Sequence, residues 1–143
     1  MKLPNLATAM TPFPYSVERS AFLDEARALM DEHSVHHLPV TDVHELVGII
    51  SDRDLRSALA VPQGKRVVSN LTVEDIYVDE VYCVDLDTPL EDVLSTMAAR
   101  HIGSAIVTRK GRLAGVFTAT DACRTFAEFL TENFPHPGGD EAA

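Results

Sequence analysis

The chain has 143 residues, of which 45% are hydrophobic, and it carries a formal net charge of -10 at pH 7. This length and apolar content suffice for one compact globular module with a packed core. The negative charge disfavours binding to DNA or RNA, whose phosphates would repel it, and no apolar stretch is long enough to cross a bilayer. Because the first five residues also lack the apolar core of a signal peptide, we expect a cytoplasmic protein without a membrane partner.

The two cysteines, Cys83 and Cys123, lie far apart in the sequence and form no CxxC pair. Such spacing predicts neither a disulfide framework nor a zinc site. We therefore expect two reduced and buried thiols.

An internal duplication is the strongest pattern in the chain. The stretch from about residue 6 to residue 60 recurs without a gap 67 positions later, the offset that separates Asp54 from Asp121. Most other matches between the copies fall on apolar positions. A duplication of this kind indicates two copies of one folding unit, and it directs the search for function to what the copies build together.

The first copy, residues 1–61, contains five predicted elements after a leading turn. A short strand near Val17 precedes an amphipathic helix, in which apolar residues recur at spacings of three and four. Two short apolar segments follow at 38–40 and 46–50, and the polar turn between them indicates a pair of strands. The second of these strands runs directly into another helix, which is expected to begin at Ser51.

The second copy, residues 71–132, repeats this order, and its last helix is expected to begin at Thr118. Ser20 and Thr88 are the predicted N-caps of the first helix in each copy. Each copy is thus a β-α-β-β-α unit, and the fold class is mixed α+β.

Two segments lie outside the copies. Residues 62–70 are polar and are broken by proline and glycine, which predicts a linker. Residues 133–143 also contain prolines and glycines, and we expect a flexible tail there.

The two copies resemble a tandem pair of cystathionine-β-synthase (CBS) domains, the arrangement often called a Bateman module. In the first copy the matching residues are His-His-Leu-Pro-Val at 36–40 and Val-Gly-Ile-Ile-Ser-Asp-Arg-Asp-Leu-Arg at 47–56. The second copy, at 103–107 and 114–121, keeps the glycine, the hydroxyl and the acid but lacks the proline and the arginine. The resemblance implies two βαββα repeats packed sheet to sheet with pseudo-twofold symmetry, two ligand clefts, and a homodimer of the pair.

The family's clefts bind adenosine-containing ligands, and the chain has suitable groups where a strand becomes a helix. The candidate ligand-binding residues at these two points are Ser51, Arg53 and Asp54 in the first copy and Thr118, Thr120 and Asp121 in the second. A carboxylate there can accept hydrogen bonds from a ribose diol, while the hydroxyl and the N–H groups of the helix start can face a phosphate. Arg53 is the best candidate for phosphate, because a guanidinium binds phosphate oxygens in a forked geometry. The equivalent residue is Thr120, so the two clefts are expected to differ.

The resemblance also implies that residues just before a strand of one copy reach the cleft of the other copy's acid. His36 and His37 are thereby assigned to the second-copy acid, and Gly103 and Ser104 to the first-copy acid. A contact between these histidines and a phosphate should weaken as the pH rises above about 6.5. We expect no metal site, because no cysteine or carboxylate completes a recognisable ligand pattern with the histidines of this region.

Each hydroxyl-x-x-acid motif also has a purely structural interpretation, since the same spacing forms a helix capping box. None of the common catalytic motifs is present, so we expect no enzyme. We expect a regulatory, energy-sensing module that binds AMP, ADP or ATP, requires no cofactor, and transmits occupancy to an unidentified partner or to its oligomeric state. The alternatives are a ligand-independent dimerisation or interaction module, and a sensor of S-adenosylmethionine or cyclic di-AMP.

Overall fold

The computed structural model of the chain describes residues 1–12, 15–60 and 70–137. Its helices are Leu6–Ala9 (α1), Leu23–His33 (α2), Asp52–Ala60 (α3), Leu90–Arg100 (α4) and Ala119–Asn133 (α5), with a 3-10 helix at Val73–Asp75. Its strands are Thr11–Pro12 (β1), Val17–Glu18 (β2), His37–Asp42 (β3), Glu45–Ser51 (β4), Cys83–Asp85 (β5), Ser104–Arg109 (β6) and Arg112–Thr118 (β7). The predicted β-α-β-β-α order of both copies and the mixed α+β class are confirmed. No helix within the described ranges combines the length and the hydropathy that crossing a membrane requires.

Two compact units make up the chain, and each combines segments from both copies. The first-repeat unit is Pro14–Val81, and the second-repeat unit is Met1–Phe13 together with Tyr82–Ala143. The segment that leads into the first copy therefore packs with the second copy, and the 3-10 helix that opens the second copy packs with the first. The predicted boundaries 1–61 and 71–132 thus follow the duplication in the sequence. In the structure, the leading segment of each copy packs with the other copy.

Two predicted segments fall partly outside the described residues. Of the predicted linker 62–70, residues 62–69 are not described, and neither are residues 138–143 of the predicted tail. The first residue of the predicted tail, Asn133, is the last residue of α5.

The first-repeat unit has a three-stranded sheet in the order β2-β3-β4. β2 pairs with β3 in parallel, and β3 pairs with β4 in antiparallel register. The core contains Leu38 and Val40 of β3, Ile50 of β4 and Ala26 of α2, all fully buried. The sheet therefore holds the end of β4, where α3 begins, at a fixed place beside the start of β3.

The second-repeat unit repeats this plan with one more strand, in the order β1-β7-β6-β5. The additional strand β1 pairs with β7 through Thr11 and Pro12, opposite Val116 and Gly115. It was not predicted, because two residues that include a proline show no alternation. Phe117 on β7 is fully buried in the core of this unit.

The first helix of each copy starts later than predicted. α2 and α4 begin directly after Phe22 and Pro89, and neither of these N-cap residues makes a side-chain hydrogen bond. The prediction that Ser20 and Thr88 are the N-caps was wrong. Pro89 keeps an extended ψ of 134°, so the helical conformation begins only at the next residue.

The predicted burial of the cysteines was also wrong, since Cys83 and Cys123 are both free and exposed. On β5 the side chain of Val84 is buried in the core, and alternation along the strand turns Cys83 away from it. Partial desolvation still raises the pKa of the Cys83 thiol above its ordinary value of 9.0.

Candidate functional site

The first hydroxyl-x-x-acid motif joins the end of β4 to the start of α3. Asp54 Oδ2 accepts hydrogen bonds from the N–H and from the hydroxyl of Ser51, both at 2.9 Å. The hydroxyl oxygen of Ser51 accepts one from the N–H of Asp54 at 3.2 Å. These reciprocal bonds form a capping box, as the structural interpretation predicted. Within the described ranges nothing donates a hydrogen bond to Asp54 Oδ1, and the side chain is only partly buried, so this oxygen is available to a ligand.

The second motif forms the same capping box at the start of α5 but has additional partners. Asp121 Oδ2 accepts hydrogen bonds from the N–H of Thr118 at 3.0 Å and from its hydroxyl at 3.1 Å. Asp121 Oδ1 accepts one from the Thr11 hydroxyl at 3.4 Å and lies 3.1 Å from Arg124 Nη1. Asp121 is 4% exposed, which makes it one of two buried polar residues among those described.

Arg53 and His37 lie beside the first motif. Arg53 is exposed on the first turn of α3, and it forms no ion pair with the described residues. His37 pairs with Ser51 in the register between β3 and β4, so the start of one strand meets the end of the other. A cation and an imidazole are thus close in sequence and register to the available oxygen of Asp54.

His36 belongs to a charged group with Asp52 and Arg56, two residues that the sequence analysis did not name as candidates. His36 Nδ1 lies 3.0 Å from Asp52 Oδ2, and Arg56 Nη2 lies 3.7 Å from the same oxygen. The three side chains line a groove of about 490 Å³ on the first-repeat unit. Asp52 and Arg56 are four residues apart on a helix, and this spacing was a signal for their pairing.

In the second-repeat unit, the predicted residues meet at the corresponding place. Ser104 pairs with Thr118 across β6 and β7, and the carbonyl of Gly103 accepts a hydrogen bond from the N–H of Ala119 at 2.9 Å. Thr120 is exposed on the first turn of α5. Each unit therefore gathers its own predicted residues at one edge of its sheet. The assignment of His36, His37, Gly103 and Ser104 to the opposite copy's acid stays a prediction.

Sequence interpretation also missed Arg124 and Thr11, the two additional partners of Asp121. Arg124 follows Asp121 by three residues on α5, and this helical spacing could have suggested the ion pair. Thr11 is 110 residues away from Asp121, and no local pattern connects them.

The histidines of the first copy do not gather into a metal centre. His33 stacks on Tyr15 with 3.4 Å between ring centroids, and His36 faces Asp52. Among residues 1–12, 15–60 and 70–137, no three histidine, cysteine or acidic side chains form a group that could hold a metal ion.

Comparison with curated proteins agrees with the duplication. L-aspartate semialdehyde sulfurtransferase of Methanocaldococcus jannaschii is 32% identical over 115 residues, which make up 79% of this chain and 21% of the enzyme. The uncharacterized protein YlbB of Bacillus subtilis is 30% identical over 102 residues, which make up 68% of this chain and 65% of YlbB. The chain thus spans less than two thirds of the length of these curated relatives.

Solved structures agree with the fold, and a family model matches both copies. The CBS domain pair of protein MJ0100, in complex with 5′-methylthioadenosine and S-adenosyl-L-methionine, superposes with a TM-score of 0.77 and 26% identity over 90% of this chain and 99% of that chain. An uncharacterized conserved protein from Pyrococcus horikoshii gives a TM-score of 0.75 and 26% identity over 88% and 95% of the two chains. The model of the CBS domain matches residues 6–61 and 73–128. The chain therefore belongs to the CBS domain family and carries two CBS domains in tandem.

Proposed function

We propose that the chain is a non-enzymatic regulatory module that binds an adenosine-containing ligand at the start of α3, with AMP, ADP or ATP as its preferred ligands. The observation that carries this proposal is the carboxylate of Asp54, which the Ser51 cap holds by one oxygen and leaves available at the other. The adenosyl ligands of the MJ0100 domain pair support the ligand class.

Each group at this helix start has a role in binding. Asp54 Oδ1 accepts hydrogen bonds from the ribose hydroxyls, because a carboxylate oxygen has acceptor sites to spare when only its neighbour is bonded. The guanidinium of Arg53, exposed on the first turn of α3, binds a phosphate in a forked geometry. Arg53 thus favours a phosphate-bearing nucleotide over S-adenosylmethionine, whose sulfonium carries a positive charge.

Binding alters the relative stability of two arrangements of the module, and a partner protein or the oligomeric state reports that change.

Isothermal titration calorimetry on nucleotide-stripped protein tests the proposal. The ligands are AMP, ADP, ATP, S-adenosylmethionine, cyclic di-AMP and 5′-methylthioadenosine, and the proteins are wild type, Asp54→Ala and Arg53→Ala. We expect Asp54→Ala to weaken every ligand that binds, because all contain a ribose. Arg53→Ala should weaken AMP by about 10-fold or more and leave 5′-methylthioadenosine, which has no phosphate, nearly unchanged. Equal losses for these two ligands would exclude the phosphate role of Arg53, and the absence of binding across the panel would refute the proposal.

A second candidate function is ligand-independent dimerisation, and an apolar groove on the second-repeat unit favours it. The groove, of about 390 Å³, runs between α4 and α5 and includes Leu94, Phe126 and Phe129. Phe126 is 61% exposed, although it is a large apolar side chain. Because the CBS resemblance implies a homodimer, we take a second copy of the chain as the occupant of this groove.

A further inference from the structure

We propose that only one of the two helix starts is open to ligand, because Arg124 and Thr11 already occupy the carboxylate of Asp121, so each chain binds a single adenosine ligand at Asp54. This inference rests on the function proposed above. It identifies Arg124 as the residue that closes the second-repeat unit.

The hydrogen bonds and the ion pair of Asp121 together occupy both oxygens of its carboxylate. A carboxylate has about four lone-pair sites on its two oxygens. At Asp121 three donors form hydrogen bonds, namely the N–H and the hydroxyl of Thr118 and the hydroxyl of Thr11, and the guanidinium of Arg124 forms an ion pair with Oδ1. A ribose diol would have to displace at least one of these donors before it could bind.

Arg124 is also held from its other nitrogens, which makes it hard to displace. Its Nη2 donates a hydrogen bond to the carbonyl oxygen of Ala9 at 3.2 Å, and its Nε lies 3.9 Å from Glu128 Oε1. The side chain thus ties α5 to the α1 segment while it neutralises Asp121. A neutral ribose hydroxyl that displaced Arg124 would leave the buried carboxylate without its ion pair, so the exchange is unfavourable.

The first-repeat unit lacks both of these donors at the equivalent positions. Ser57 stands in α3 at the offset of 67 from Arg124, and its short side chain forms no hydrogen bond to Asp54 in the described part of the chain. Val78 stands at the same offset from Thr11 and has no side-chain donor.

Thr11 and Val78 occupy equivalent places in the structure as well as in the sequence. Thr11 pairs with Val116 on β7, and Val78 forms a bridge to Ile49 on β4, at the same offset. The two leading segments therefore lie against their sheets in the same register. The difference between an open and a closed carboxylate is set by which residues occupy two matched positions.

Reciprocal substitutions between the repeats test this inference by calorimetry, with AMP and 5′-methylthioadenosine as probes. Wild type should bind one equivalent per chain, and Asp54→Ala should abolish that binding while Asp121→Asn leaves it unchanged. Ser57→Arg, a substitution on the exposed side of α3, should weaken binding by about 10-fold or more by closing the first helix start. The pair Arg124→Ser with Thr11→Val should add a second equivalent, which Asp121→Asn then removes.

The outcomes separate this inference from the proposed function. Two equivalents in wild type, one of them lost on Asp121→Asn, would overturn the inference and leave the function intact. Unchanged affinity of Ser57→Arg would overturn the closing role of an arginine at this position. If neither probe binds to any variant, the proposed function fails and the inference fails with it. Circular dichroism of each variant verifies that it is folded.

Discussion

Arg124 Nη1 lies 3.1 Å from Asp121 Oδ1, and Nη2 of the same guanidinium donates a hydrogen bond to the carbonyl of Ala9. One side chain thereby joins the buried acid of α5 to the segment that leads into the other copy in sequence. Asp54, the acid that the duplication makes equivalent, has only its own helix cap as a partner among the described residues. The two acids at equivalent positions of the duplication thus differ in their partners.

This asymmetry predicts a difference in stability between matched substitutions. Asp121→Ala should lower the free energy of unfolding by about 2–3 kcal/mol, because it leaves buried donors without an acceptor. Asp54→Ala removes only a capping interaction and should cost about 1 kcal/mol. Urea denaturation followed by circular dichroism measures both. Equal losses would contradict the buried network around Asp121.

Two glycines are predicted to be required by close backbone approach. A Cβ at Gly115 would lie 2.6 Å from Met10 Sδ and 2.7 Å from the carbonyl oxygen of Thr11, and one at Gly48 would collide with Tyr77 and with the carbonyl oxygen of Val78. Alanine at either position should destabilise the protein by about 1–3 kcal/mol, because the leading segment must move away from its sheet.

Gly103→Ala is the matched control for these two variants, since a Cβ there would meet nothing within 4 Å. Its free energy of unfolding should stay close to that of wild type. If Gly48→Ala and Gly115→Ala were as stable as wild type, the leading segments would not pack as described.

Glu18 caps the turn between β3 and β4, in which Val43 and His44 have left-handed φ values of 50° and 69°. Its carboxylate accepts hydrogen bonds from the N–H groups of both turn residues and from the Thr41 hydroxyl. Desolvation acts to raise the pKa of Glu18, but these hydrogen bonds and the nearby His44 outweigh it, and the pKa lies below its ordinary value of 4.5.

A depressed pKa in the folded state predicts an acid-sensitive contribution to stability. The contribution is complete above the ordinary pKa of 4.5 and is lost as the pH falls through the lower, folded-state value. Glu18→Gln should therefore be less stable than wild type near neutral pH, and the difference should shrink as the solution is acidified below that value. Thermal denaturation over a pH series measures it.

Glu45→Gln is the control for Glu18→Gln, because Glu45 is an exposed acid next to the turn, at the first residue of β4. Glu45 accepts none of the hydrogen bonds from the turn that Glu18 accepts, so the stability of this variant should stay close to that of wild type. A pH-independent difference for Glu18→Gln would show that the carboxylate does not hold the turn.

Dimerisation through the groove between α4 and α5 predicts that Phe126→Glu yields a monomer. A charge at this position would be buried without a partner in the dimer interface, which is strongly unfavourable. Sedimentation velocity measures the oligomeric state. Cys123 lines the same groove, so its alkylation should be faster in the variant than in wild type, while Cys83 serves as an internal control outside the groove. A monomeric wild type would refute dimerisation through this surface.

Local patterns in the sequence were enough to predict the duplication, the order of elements and the two capping boxes. Helical periodicity and strand alternation are visible within a few residues, and the hydrogen bonds between Ser51 and Asp54 join residues three positions apart. The exposed position of Arg53 and the ion pair between Asp121 and Arg124 follow from the same short-range geometry.

Only the tertiary structure decided which leading segment packs on which sheet. That packing in turn determined which partners each of the two acids has. The hydroxyl of Thr11 reaches Asp121 across 110 residues, and β1 is too short to show a periodicity of its own. The exposure of Cys83 and Cys123 was mispredicted for a related reason, because apolar composition does not reveal which face of a strand or helix meets the core. Contacts between distant segments depend on how the packed elements meet, and no pattern within one segment encodes that.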